Sequence, residues 1–175
     1  MGLLSREEIL AALKALSDEL AGERQREVII AGGAALVLLY NARNTTKDVD
    51  VVAFSPGDPA PIRAAALRVS SAMGLPENWL NDAAKGYLHG VRRGEIVLER
   101  PNLLIRTLAP EQLLAMKLCA WRDDVDIEDA RLLLSKVPGG REAVWDMIQP
   151  FLTPGHELKA QYAFEDLWEV VHGPP

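Results

Sequence analysis

The sequence holds a single cysteine, Cys119, which excludes an intrachain disulfide framework and a cysteine-rich zinc site. Cys119 stands between Leu118 and Ala120 in a helical pattern, where a buried, inert thiol is expected rather than a nucleophile. Histidine is sparse as well: His89, His156 and His172 show no ligand spacing and read as surface or capping residues. No run approaches the roughly 20 apolar residues of a membrane span, and Met1 to Glu8 carries no apolar signal core. A cytoplasmic setting with no membrane partner is the expectation. Positive charge is in deficit, with 19 Lys and Arg against 25 Asp and Glu and a formal net charge of −6. That balance argues against a broad basic surface that grips nucleic acid by neutralising phosphates. Local candidates for positive charge remain at Arg92-Arg93 and from Arg100 to Arg106.

What is present is enough for a folded domain: 175 residues, 49% hydrophobic, with no internal repeat and no low-complexity tract. Ser5 and Glu8 have capping-box spacing, and Ile9, Leu10, Leu13, Leu16 and Leu20 recur on one helical face, predicting an amphipathic first helix. Val28-Ile29-Ile30-Ala31 reads as a short strand, residues 34–42 as a buried helix, and Asp48-Val49-Asp50-Val51-Val52 as a second strand. The proline-rich stretch 55–61 is expected to be irregular, as a gate or as a stiff connection, before a helix over 62–73. Residues 79–88 read as a short helix, and Glu95-Ile96-Val97-Leu98 and Leu103-Leu104-Ile105-Arg106 as an antiparallel pair around Pro101-Asn102. Helices are expected over 110–121, 127–137, 141–148 and 157–171, with Trp145, Tyr162, Leu167 and Trp168 as core candidates. A soft boundary falls at 107–110, giving a core of 1–107 and a helical part of 108–175 packed on it, or one single domain.

The chemistry concentrates between residues 28 and 52. Gly32 and Gly33 open a helix, where the missing Cβ atoms and unsatisfied N–H groups suit an approaching phosphate. In the following strand, period two puts Asp48 and Asp50 on one face and Val49 and Val51 on the other. Two converging carboxylates repel unless a cation sits between them, and hard oxygen donors favour Mg²⁺ or Mn²⁺. Each half taken alone also fits a plain turn and a solvated strand face.

The order strand, Gly-Gly, helix, Thr-x-Asp-x-Asp strand resembles the polymerase-beta-type nucleotidyltransferase superfamily. The resemblance extends to its AbiEii-like branch through Gly32-Gly33-Ala34-Ala35-Leu36, Thr46-Lys47-Asp48-Val49-Asp50, Trp79-Leu80-Asn81-Asp82 and Leu114-Ala115-Met116-Lys117-Leu118, followed by Arg122, Asp126 and Asp129. It implies an α+β fold, a mixed sheet flanked by helices with a C-terminal helical extension, and transfer of NMP from an NTP to an acceptor. Asp48 and Asp50 would hold metal, Gly32, Gly33, Thr46 and Lys117 would bind the nucleotide, and Lys117 and Asp126 would join Asp48 and Asp50 in catalysis. It further implies an acceptor such as a tRNA end or a protein, and an antitoxin partner as in toxin-type relatives. A non-catalytic nucleotide-binding or interaction module and an aminoglycoside-type enzyme are the competing functions.

The same residues carry other readings. Lys117 in an apolar helix either snorkels or meets the triphosphate. Asp126 either caps the helix that follows or acts at the site, and Arg122 either pairs with it across a helical turn or meets a phosphate. Many superfamily members carry a third carboxylate on a later strand, and Leu103-Leu104-Ile105-Arg106 has none. Glu95, Glu99, Asp82 and Asp126 are the substitutes the sequence offers.

Overall fold

A computed structural model describes residues 3–41, 43–55 and 57–173. Ser5 caps the first helix α1 (Arg6–Glu19), its hydroxyl accepting from the Glu8 N–H while the Glu8 carboxylate accepts from the Ser5 N–H. The apolar stripe then drives Ile9, Leu13 and Leu16 to complete burial. Strand β1 (Leu4–Ser5) pairs antiparallel with β3 (Thr45–Thr46), tying the start of α1 to the polar segment ahead of the two aspartates.

The main sheet comprises β2 (Arg26–Ala31), β4 (Val49–Ser55), β5 (Leu80–Asn81), β6 (Arg93–Arg100) and β7 (Leu103–Leu108), in the order β5-β4-β2-β7-β6. It is mixed: β2 runs antiparallel to β4 and parallel to β7, β5 is parallel to β4, and β6 and β7 form the expected antiparallel pair. Helix α2 (Gly32–Tyr40) leaves the end of β2, and α3 (Ala60–Met73) follows β4. Val28, Ile30, Val49, Val51, Leu103 and Ile105 project from one face of the sheet into a core shared with Ile9, Leu13, Ala34, Val37, Ile62 and Val69. Alternation along each strand therefore puts Glu27, Asp50 and Arg106 on the opposite face.

The chain divides into two compact units, Met1–Lys85 with Arg93–Leu108, and Gly86–Arg92 with Ala109–Pro175. The second contains α4 (Pro110–Ala120), α5 (Asp124–Leu134), α6 (Arg141–Ile148) and α7 (Glu157–His172). Seven α-helices and two sheets among the described residues make the chain α+β.

Several sequence expectations are corrected. Residues 79–88 are not a helix: Leu80–Asn81 add a parallel strand beside β4, and a 3-10 turn, Ala83–Tyr87, follows. Trp79 explains the change. It is completely buried, its indole N–H donates to the Ala66 carbonyl at 3.0 Å, and its own carbonyl accepts from Val49 N at 2.7 Å. The proline-rich stretch is shorter than expected, because Ser55 ends β4 and Ala60 and Pro61 already belong to the first turn of α3, where proline's missing N–H costs nothing. Pro56 and Ala42 lie outside the described residues. Tyr162 is 60% exposed, not core. The buried stripe of α7 runs Ala160, Ala163, Phe164, Leu167, and the Phe164 ring meets Trp145 and Trp168. Helix α5 starts at Asp124 because Asp123 caps it, accepting from the Asp126 N–H at 3.0 Å, so Asp126 is not the cap.

Candidate active site

The glycine pair and the aspartate strand come together through the sheet. Asp50 pairs with Ala31, the last residue of β2, so the carboxylate-bearing strand runs past the start of α2. Gly32 has φ +62°, and a Cβ there would stand 2.5 Å from Asp50 Oδ2. A Cβ on Gly33 would stand 2.6 Å from Thr46 Oγ1 and 3.3 Å from the Arg43 guanidinium carbon. Both missing side chains thus make room for groups of this chain: a carboxylate, a hydroxyl and a guanidinium gathered at one helix start. Ala31 occupies the N-cap position of α2 and has no side chain that could cap it. Arg43 stands at this candidate site, and the sequence reading overlooked it. Its only signal was a basic residue in the polar segment between Gly33 and Asp48.

Asp48 immediately precedes β4, and one of its oxygens is held by the neighbouring edge strand. Asn81 Nδ2 donates to Asp48 Oδ2 at 2.9 Å. Thr46 is 7% exposed and sits on β3. Gly32, Gly33, Thr46, Asp48 and Asp50 therefore share the first unit.

On the Asp50 face of the sheet, β7 bears Arg106 beside Ile29 of β2. Arg106 and Arg93 both pair with Glu27, at 3.1 and 2.8 Å. The hydrogen bond from Arg93 holds the Glu27 carboxyl below its ordinary range, with Arg106 adding to the effect. The candidate strand for a third acid thus presents a cation on that face.

Lys117 and Asp126 stand in the helical unit. Trp121 ends α4 in the left-handed conformation at φ 36°, and the chain re-enters α5 at once, so Arg122 and Asp126 are not on one continuous helix. Lys117 Nζ lies 2.8 Å from Asp126 Oδ1 and 2.7 Å from Asp129 Oδ2. Arg122 Nε approaches Asp126 Oδ2 at 3.0 Å, and the Arg122 backbone N–H donates to the same oxygen at 3.1 Å. The Lys117 side chain is only 13% exposed and its carboxylate partners 2% and 5%, so the ammonium does not snorkel. Burial by itself would raise the Asp126 carboxyl; hydrogen bonds from Arg122 and Lys117 override it and hold the group down at about 2. Asp82, another substitute acid, pairs with Lys85 and Arg63 at 3.1 and 3.0 Å.

Among the described residues no group of three or more His, Cys, Asp or Glu is placed to hold a metal. The pair Asp48 and Asp50 still suits Mg²⁺, which keeps several waters and binds through one or two carboxylates together with substrate phosphates. No helix among the described residues is long and apolar enough to cross a membrane.

Comparison with known proteins adds one relationship. A family model described as "Nucleotidyltransferase of unknown function (DUF6036)" matches residues 8–137. No curated protein and no solved structure matches the chain.

Proposed function

Since the chain belongs to the nucleotidyltransferase family of unknown function, DUF6036, we propose that it transfers a nucleoside monophosphate from an NTP to an acceptor hydroxyl in a metal-dependent reaction. The observation that carries this reading is the apposition of Asp50 to Gly32, which sets a metal-binding type of carboxylate against the start of α2, where Ala31 offers no capping side chain. The N–H groups of the first turn of α2 suit the triphosphate, and Thr46 and Arg43 stand beside Gly33 to donate hydrogen bonds to it. Asp48 and Asp50 would hold Mg²⁺ or Mn²⁺. That cation, when bound, supplies charge neutralisation on the phosphates.

In the transfer the acceptor oxygen forms a bond to the α-phosphorus, the bond to pyrophosphate breaks, and the hydroxyl proton leaves to solvent. Alignment and electrostatics contribute most of the rate in such a reaction. We assign the acceptor to a macromolecule, a tRNA end or a protein hydroxyl, in keeping with the AbiEii-like resemblance, which also motivates an antitoxin partner. The test is incubation of the protein with each α-labelled NTP and Mg²⁺ in a cell extract. The reading expects one macromolecular species to take up label and EDTA to abolish the uptake. Label on a small molecule alone would favour the aminoglycoside-type enzyme.

A second reading rests on the two-carboxylate site with Arg106 on the β7 face: a nucleotide-binding module without transfer. NTP binding without pyrophosphate release selects it.

A further inference from the structure

Asn81 stands 33 residues beyond Asp48, yet its side chain is fixed at both ends. Its Oδ1 accepts from the Ala83 N–H at 2.8 Å, closing a turn on the next residues. That bond determines which end of the amide is which, because only the oxygen can accept from an N–H. The NH₂ group must therefore face the other way. It donates to Asp48 Oδ2 at 2.9 Å and to the Asn78 carbonyl at 3.3 Å.

The backbone beneath the amide is equally determined. Asn81 is in register with Asp50 across the parallel β4–β5 pair, and the strand is pinned by Trp79 through the Ala66 and Val49 hydrogen bonds. Asp48 itself lies one residue before β4, where no ladder partner sets its conformation. A carboxylate at a strand entrance has free rotation about two bonds. The Asn81 donor removes that freedom by taking one oxygen.

We propose that Asn81 is the positioning residue for Asp48: it holds Oδ2 so that the carboxylate meets the divalent cation in one orientation. The inference rests on the reading of Asp48 as a metal ligand. Outer partners of this kind typically contribute about 10- to 100-fold to metal affinity. Asn81 touches neither nucleotide nor acceptor in this assignment, and acts only through Asp48.

Two substitutions separate positioning from structural support. Asn81→Ala removes both the Asp48 contact and the turn to Ala83. Asn81→Ser retains an acceptor for the Ala83 N–H, since serine forms the same kind of turn, but is too short to reach Asp48. Mn²⁺ binding to the full chain, followed by loss of the free-ion electron paramagnetic resonance signal, is measured for the parent, both variants and Asp48→Asn, with thermal unfolding in parallel. The proposal expects Mn²⁺ affinity to fall on the order of 10-fold in both Asn81 variants, with Asn81→Ser unfolding closer to the parent than Asn81→Ala. Parent-like affinity in either Asn81 variant, or affinity restored by serine along with stability, overturns the positioning role while Asp48 keeps its own. Parent binding that is absent or insensitive to Asp48→Asn removes the metal reading itself, and the role of Asn81 with it.

Discussion

Gly32 is the residue where backbone and chemistry are hardest to separate. Its φ of +62° disfavours any L side chain, at about 1–2 kcal/mol, and an added Cβ would meet Asp50 Oδ2 at 2.5 Å. Gly32→Ala should therefore lower stability by about that amount and displace the carboxylate, with a loss of transfer on the order of 100-fold; steady-state kinetics beside a melting curve check both. Gly33→Ala carries no such backbone penalty, although its Cβ would crowd Thr46 Oγ1 and the Arg43 guanidinium, so its stability cost should be smaller. Lys117 has two assignments that separate in the same way. Replacing it with methionine leaves Asp126 and Asp129 buried without their ammonium, which should cost about 3–5 kcal/mol in a urea titration. Adding Asp129→Asn should recover part of that loss. A Lys117→Met protein of parental stability with weakened NTP binding would instead put the ammonium at the triphosphate.

At the scale of elements, the first turn of α5 contributes to the acid limb of stability through Asp126. Asp126 titrates at about 2 in the fold against an ordinary 3.8. The lowered value favours the ionised fold, so Asp126 contributes about 2 kcal/mol above pH 4. That contribution drains away as pH falls from about 4 towards 2, and Asp126→Asn should flatten the stability profile over that window. The elements differ in how plainly the sequence announced them. The first helix, the Gly-Gly helix, the Asp-x-Asp strand and the β6–β7 hairpin each carry a local signature: a capping box, a change of period, or a Pro-Asn turn. Strand β5 carries none, because two residues cannot show a period and their pairing partner lies 31 positions upstream at Val49 and Asp50. Arg43 was missed for the same reason, and Asn81 stood in the sequence only as one residue of the Trp79-Leu80-Asn81-Asp82 segment of the resemblance, its contact with Asp48 arising from a neighbour supplied by the fold. The proposed anchoring of β5 by Trp79 predicts that Trp79→Phe, which loses the hydrogen bond to Ala66 and part of the buried ring volume, costs more than the about 1 kcal/mol of the hydrogen bond alone in thermal unfolding.

For the whole molecule, the α+β architecture and membership of a nucleotidyltransferase family agree with the resemblance at that coarser level, without reaching its AbiEii-like branch. The acceptor leaves no such trace, since an overall charge of −6 speaks against a broad phosphate-gripping surface without naming what binds instead. The central claim is that Asp48 and Asp50 are functional carboxylates rather than a solvated strand face. Its most direct measurement is pyrophosphate release and label transfer from α-labelled NTP by the parent, Asp48→Asn and Asp50→Asn proteins, with melting temperatures taken on the same samples. The account predicts transfer by the parent, none by either variant, and melting temperatures unchanged or slightly raised as one of two repelling charges is removed. Transfer at the parental rate by either folded variant would contradict it.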